Sequence, residues 1–175
     1  MARETKEVSA FGVRYRITQM PAAEAFRLMV AGDSARPLDI LAGVSVHSEG
    51  AGGWVPLDSG ATIDTYVRDN INVMQPRFVL NGLMGVVTDF NWGFIKERKS
   101  VRVPSYLRSD TEARQVEGED PVMSTLIAAG KATLRELQEF YSLTDAFRIF
   151  DIFFIDKLNS AEAQHAAIQE AKSKR

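Results

Sequence analysis

Residues 130–156, GKATLRELQEFYSLTDAFRIFDIFFID, limit the folds open to this 175-residue chain more than any other stretch. Gly130 suits the left-handed residue that closes a preceding helix. Thr133 and Glu136 then have the spacing of a capping box, with the hydroxyl taking one free amide and the carboxylate reaching back to another. Ser142 and Asp145 repeat that chemistry and open the next helix, where the dipole also favours the acid. Beyond this cap Phe147, Ile149, Phe150, Ile152, Phe153, Phe154, Ile155 and Leu158 leave only a narrow polar side, made by Asp145, Arg148, Asp151 and Lys157. A single core-facing stripe covers only about 100° of a helix. This helix must therefore be covered on more than one side, by neighbouring helices of its own chain or by a subunit or client. Left bare, it would form an apolar patch larger than soluble monomers carry.

The N-terminal part reads as strand, tight turn, helix. Phe11, Val13, Tyr15 and Ile17 alternate with Gly12, Arg14, Arg16 and Thr18, the period of a half-buried strand. Pro21 suits a first helical position, Phe26, Met29 and Val30 share a face, and Gly32 marks the stop. Residues 38–41 fit a helical turn, residues 44–46 a short strand, and SEGAGG a hairpin tip or flexible loop. ATIDTYVRDNI is expected to be helical with Ile63, Tyr66 and Val67 inward. A buried helix is expected over 76–91, with Phe78, Val79, Leu83, Val86, Val87 and Phe90 as its apolar residues. Gly82 and Gly85 weaken it by about 1 kcal/mol each relative to alanine, so close approach of another backbone should compensate.

From residue 96 to 121 charge dominates, and the segment reads as an exposed connection or arm with a short strand at 101–103. Asp120 and Pro121 can start a helix that ends at Gly130. Asn159 or Ser160 is expected to cap a separate, polar, alanine-rich last helix. The fold class expected is α+β and mostly helical: an N-terminal strand–turn–helix with a small β element, then a C-terminal helical bundle. The expected division is an N-terminal α+β domain at 1–95, the arm at 96–121 and a helical region at 122–175. The charged N-terminus has no apolar signal core, and no apolar run reaches membrane-span length, so a soluble cytoplasmic protein with no membrane partner is expected.

Little chemistry can be assembled. The chain has no cysteine, which removes disulfides, thiolate nucleophiles and cysteine zinc sites. The two histidines, His47 and His165, lie far apart. His47 adjoins a glycine loop with Glu49 nearby, where an acid–base or metal role is conceivable, but a loop histidine is the expected reading. His165 belongs to a polar surface helix. GAGGWV lacks the lysine and hydroxyl residue of a phosphate loop and opens no helix. Lys96, Arg98, Lys99, Arg102 and Arg108 surround Tyr106, yet EGED follows and cancels the field, and the net charge is −2. No enzymatic activity, cofactor, metal or nucleic-acid partner is expected.

Three stretches resemble one family. YRITQMPAAEAFRLM resembles the strand–turn–helix opening of tailed-bacteriophage tail assembly chaperones. LNGLMGVVTDFNWGFI is similar to the aromatic helix, ending in Asn and Phe, that follows in several of them. GKATLRELQEFYSLTDAFRIFDIF is similar to a glycine, A-T-L-x-E-L, Y-S-L-x-D-A segment of small phage tail-cluster proteins. Together they cover a little under half the chain. The resemblance implies a protein of the host cytoplasm that binds the tape measure protein, helps recruit tail tube protein and is absent from the finished virion. A structural tail or baseplate component retained in the virion is the alternative. The matching residues are Gln19, Pro21 and Ala22 at the turn and Tyr141, Leu143, Asp145 and Ala146 at the late cap, with structural or interfacial roles. The partner-binding residues expected are Tyr141, Phe147, Phe150, Phe153, Phe154 and Leu158, with a homo-oligomer possible. The glycine-rich insert at 48–53 and the charged arm depart from shorter members.

Overall fold

The structure, a computed structural model, describes residues 3–71, 73–108 and 116–174. Four strands form one antiparallel meander in the order β1-β2-β3-β4: β1 Thr5–Ala10, β2 Val13–Thr18, β3 Val44–Ser48 and β4 Gly53–Pro56. The register sets Val8 opposite Tyr15, Tyr15 opposite Val46 and Val46 opposite Val55. Because side chains alternate, one face becomes aliphatic and is buried, while the other carries Glu7, Arg16, Arg14, His47 and Trp54. On that outer face Arg16 pairs with Glu7 at 2.8 Å and lies 4.1 Å over the Trp54 ring.

Phe11 does not continue the strand as its alternation with Val13 and Tyr15 suggests. It sits at φ 55 and Gly12 at φ 73, forming the two-residue turn between β1 and β2. Positive φ at both positions matches the twist of the flanking strands, and a phenylalanine there is uncommon. Its ring is used elsewhere: a Cβ on Gly82 would lie 2.8 Å from Phe11 Cζ. Asn70 holds the same tip, its amide donating to Phe11 O at 3.2 Å and its Nδ2 to Gly12 O at 2.9 Å.

Helices follow on the aliphatic side: α1 Ala22–Ala31, α2 Pro37–Ile40, α3 Gly60–Tyr66, α4 Pro76–Trp92, α5 Phe94–Glu97, α6 Pro121–Ala128, α7 Leu134–Glu139 and α8 Leu143–Ser173. The fold is thus α+β and mostly helical. In α4 the buried residues are Val79, Leu83, Val87 and Asn91, spaced four apart, whereas Phe78 and Val86 face outward. The compensation expected for its glycines holds at Gly82, although against a side chain, and fails at Gly85, which has open space where a Cβ would be.

The helix punctuation follows the sequence closely. The α6 helix ends in a Schellman motif, with Lys131 N–H donating to Leu126 O at 2.9 Å, Gly130 N–H to Ile127 O at 3.0 Å, and Gly130 at φ 63. Both capping boxes form, Thr133 with Glu136 and Ser142 with Asp145. Two expectations fail: the helix expected over 61–71 stops at Tyr66, and no new helix starts at Asn159 or Ser160. The α8 helix runs through both, and the Ser160 hydroxyl donates to Asp156 O at 2.9 Å instead of capping. Alanines and long polar residues sustain a helix well, and neither glycine nor proline interrupts it.

The segments 1–95 and 122–175 share one apolar cluster, in which Tyr15, Ile17, Phe26, Leu83, Leu126, Leu137, Leu143 and Ala146 are buried together. Fully burying each large apolar side chain contributes roughly 1.5–3 kcal/mol. The strand expected at 101–103 is absent: that stretch is irregular and leads into a 3₁₀ turn at Ser105–Leu107. Part of the expected arm, 109–115, lies outside the described residues.

Candidate interaction surface

The turn after β2, the end of α4 and the start of α8 meet at one buried junction. Met20 N–H donates to Asn91 Oδ1 at 2.8 Å, and Asn91 Nδ2 donates to Val87 O at 2.9 Å. Ala22 N–H, a free donor at the start of α1, finds Tyr141 O at 2.7 Å, and Pro21 and Ser142 form an isolated antiparallel bridge. Gln19, Asn91 and Ser142 are buried polar residues at this junction. Phe147 closes it, its ring centroid 5.6 Å from Phe26 and 5.8 Å from Phe94. Each of the three stretches singled out in the sequence thus supplies part of one unit.

The aromatic helix is covered on several sides, largely by its own chain. Leu143 and Ala146 are buried in the shared core, and Tyr141, Phe147 and Phe150 pack half-buried against it. Phe154 stacks on Phe150 at 5.7 Å. Phe153 points elsewhere, with the Lys131 and Lys157 ammonium groups 5.7 Å and 5.6 Å from its ring. Leu158 is half-buried. Among the large apolar residues of 143–158 the most exposed are Ile152 at 65% and Ile155 at 45%, neither of which is among the expected partner-binding residues. Charge spacing offered a signal for them, since Arg148, Ile152, Ile155 and Asn159 follow helical steps along one side.

Residues 98–107 lie along another side of α8. At one end Arg98 Nε donates to Asp151 Oδ2 at 3.0 Å, Nη2 donates to Oδ1, and the guanidinium lies 4.6 Å over Phe147. At the other end the rings of Tyr106 and His165 stack at 4.6 Å. His165 is therefore not the plain surface residue that its polar helix suggests.

A second apolar group sits on the loop before α4. Ile71 and Val73 are 76% and 78% exposed, yet their backbone is firmly held. The buried Asp69 carboxylate accepts amides from Ile71 at 3.0 Å, Val73 at 2.9 Å and Met74 at 3.0 Å. These backbone donors, the Ile71 amide first, hold its pKa below the usual carboxylate value.

His47 lines a cavity of about 360 Å³ with Arg14, Glu49, Tyr66, Arg68 and Asn70. Arg14 Nη2 lies 3.0 Å from His47 Nδ1. A guanidinium can only donate, so Nδ1 accepts and the ring proton sits on Nε2. The His47 ring also meets Trp54 edge-on at 5.2 Å. Among the described residues, no group of three or more His, Asp or Glu is placed to hold a metal ion. Nor is any helix there long and apolar enough to cross a membrane. Comparisons with protein-family models, with curated proteins and with solved structures find no match to the chain.

Proposed function

We propose that the protein is a tail assembly chaperone of a tailed bacteriophage. It acts by binding the tape measure protein and helping to recruit tail tube subunits in the host cytoplasm, without catalysis. The observation that carries this reading is the junction of Met20, Asn91, Ala22 and Tyr141, where three separate stretches resembling that family interlock. The means of binding is α8, whose Ile152 and Ile155 are open beside half-buried Phe153 and Phe154. An amphipathic client helix is recognised by such apolar residues at helical spacing.

Co-expression with fragments of the tape measure protein from the same genome tests the proposal. The chaperone reading expects co-purification with a fragment, weakened when Ile152 and Ile155 are both replaced by serine. A wild-type protein that stays monomeric in light scattering and captures no fragment sinks it. Mass spectrometry of purified particles separates this reading from that of a retained tail component, which alone expects the chain in the virion.

A further inference from the structure

The two hairpins of the sheet separate before either of them ends. Pairing between β1 and β2 continues to Ala10–Val13, and pairing between β3 and β4 continues to Ser48–Gly53. The β2–β3 register stops at Tyr15–Val46, although β2 begins at Val13 and β3 runs to Ser48. The cavity of about 360 Å³ lies in this opening, with Val13 and Arg14 on one hairpin and His47 and Ser48 on the other. Tyr66, Arg68 and Asn70 wall it from the side. That wall is fixed. Tyr66 packs on the shared core, Asn70 is bonded twice to the β1–β2 tip, and Asp69 between them accepts three amides. Small-molecule sites have volumes of about 300–1,000 Å³ and are largely formed before the ligand arrives.

The charge of this cavity is not neutralised by the protein itself. Arg16, two positions along the same strand and on the same face as Arg14, is paired with Glu7 and covers Trp54. Arg14 instead meets the acceptor nitrogen of a neutral imidazole, His47 Nδ1, and keeps its full charge. The other ring nitrogen, Nε2–H, has no hydrogen-bond partner among the described residues. Neither Arg14 nor Arg68 comes within 4.0 Å of a carboxylate among them. Glu49, exposed at the rim, is the only carboxylate in the lining, so the two guanidinium groups leave an excess of one positive charge.

We propose that the opening between the two hairpins binds a small organic anion. Arg14 and Arg68 hold its phosphate or carboxylate head group, and the His47 Nε2–H supplies a further hydrogen bond. A guanidinium presents paired N–H donors whose spacing matches either head group, and such charge-assisted bonds are the strong ones. Glu49 opposes further negative charge, which favours a singly charged ligand over a polyphosphate. The site is independent of the chaperone reading.

Titration of the full chain with sodium phosphate and, separately, with sodium lactate tests the proposal, at fixed pH and with ionic strength held constant by sodium chloride. The readout is the imidazole resonances in nitrogen–proton NMR. The chain has two histidines, so the spectrum of His165→Gln identifies the His47 signals. Saturable shifts of those signals with either probe are expected, and the tighter probe identifies the head group. Arg14→Gln and Arg68→Gln should each weaken binding about tenfold or more, the worth of a hydrogen bond to a charged group. Glu49→Gln should strengthen it about two- to fivefold by removing a like charge, a change of opposite sign that loss of structure does not produce. All three side chains are exposed, and unchanged thermal midpoints should confirm that the variants fold. If neither probe shifts the His47 signals beyond the chloride control into the tens of millimolar, the proposal is overturned. Undiminished affinity in both arginine variants overturns it as well.

Discussion

The Asn91 carboxamide accepts the Met20 amide at 2.8 Å across a turn that has no other strand to receive it. Met20 lies two residues past Thr18, the last residue of the sheet register, and just before Pro21 and α1, so its N–H has left the β ladder without entering a helix. Asn91 is on α4, and its second bond, to Val87 O, fixes which end of the amide faces the turn. Replacing Asn91 with leucine leaves a buried donor unpaired, at a cost of about 1–3 kcal/mol. Urea denaturation of Asn91→Leu should show a lowered midpoint with an unchanged slope. An unchanged midpoint would mean that the turn finds another acceptor.

Asp69 gives acid sensitivity a defined origin. Its folded pKa is depressed by three backbone donors, so the unfolded chain takes up a proton first as pH falls. The stability it contributes is complete above the unfolded carboxylate value and is lost as pH drops through the lower folded value. Asp39, bonded by Arg36, and Glu136, bonded by the Thr133 amide, shift in the same direction. Asp69→Asn should therefore be less stable at pH 7 and flatten the fall in thermal midpoint between neutral and acid pH. An equally steep fall in the variant would mean that Asp69 does not set the acid sensitivity.

Tyr15 is fully buried, and its hydroxyl has no hydrogen-bond partner among the described residues. Desolvation raises its pKa to about 12. An unpaired buried hydroxyl is unfavourable, so Tyr15→Phe should be neutral or more stable by up to about 1 kcal/mol. The raised pKa also means that wild-type stability present below pH 10 is lost as pH climbs toward 12, because the unfolded chain ionises first. The phenylalanine variant should decline less over that range, which alkaline urea titration measures. A loss of more than about 1 kcal/mol at neutral pH would reveal a partner for the hydroxyl.

The two glycines of α4 should respond oppositely. Alanine at Gly85 meets nothing within 4 Å and should gain close to the full helix-propensity difference, about 1 kcal/mol. Alanine at Gly82 drives a methyl group to 2.8 Å from Phe11 Cζ and forces the ring off the helix. Its thermal midpoint should fall below that of Gly85→Ala, and Phe11→Ala in the same chain should shrink the difference. Equal gains at both positions would show that the hairpin tip does not need the contact.

How much of this could be read from residues follows from the range of the forces involved. The capping boxes of Thr133 and Ser142, the stop at Gly130 and the helix beginning at Pro76 depend on groups three or four positions apart, and each was legible. β1 was not, because Thr5–Ala10 is an edge strand whose hydropathy barely alternates and whose pairing is supplied by β2. Phe11 was misread as a strand residue because its side-chain parity matches Val13, while the turn is favoured by Asn70 and Gly82, far away in sequence. The break placed at Ser160 failed for a similar reason, since a good capping residue is also tolerated mid-helix when its hydroxyl can bond one turn back. Within the candidate surface the rings of α8 were legible as residues needing cover. The cover itself was not, because the arm carries too few aliphatics to announce that it lies against anything.

The bond from Ala22 to Tyr141 has a bearing on how the protein is made. The amide emerges from the ribosome well before its acceptor, which follows about two-thirds of the 175 residues later. Until then Phe26 and the aliphatic side of the sheet wait without α7 and α8. Synthesis therefore passes through a long interval in which a half-finished, sticky intermediate must be kept from its neighbours. The shared core closes only once Leu137, Leu143 and Ala146 join it.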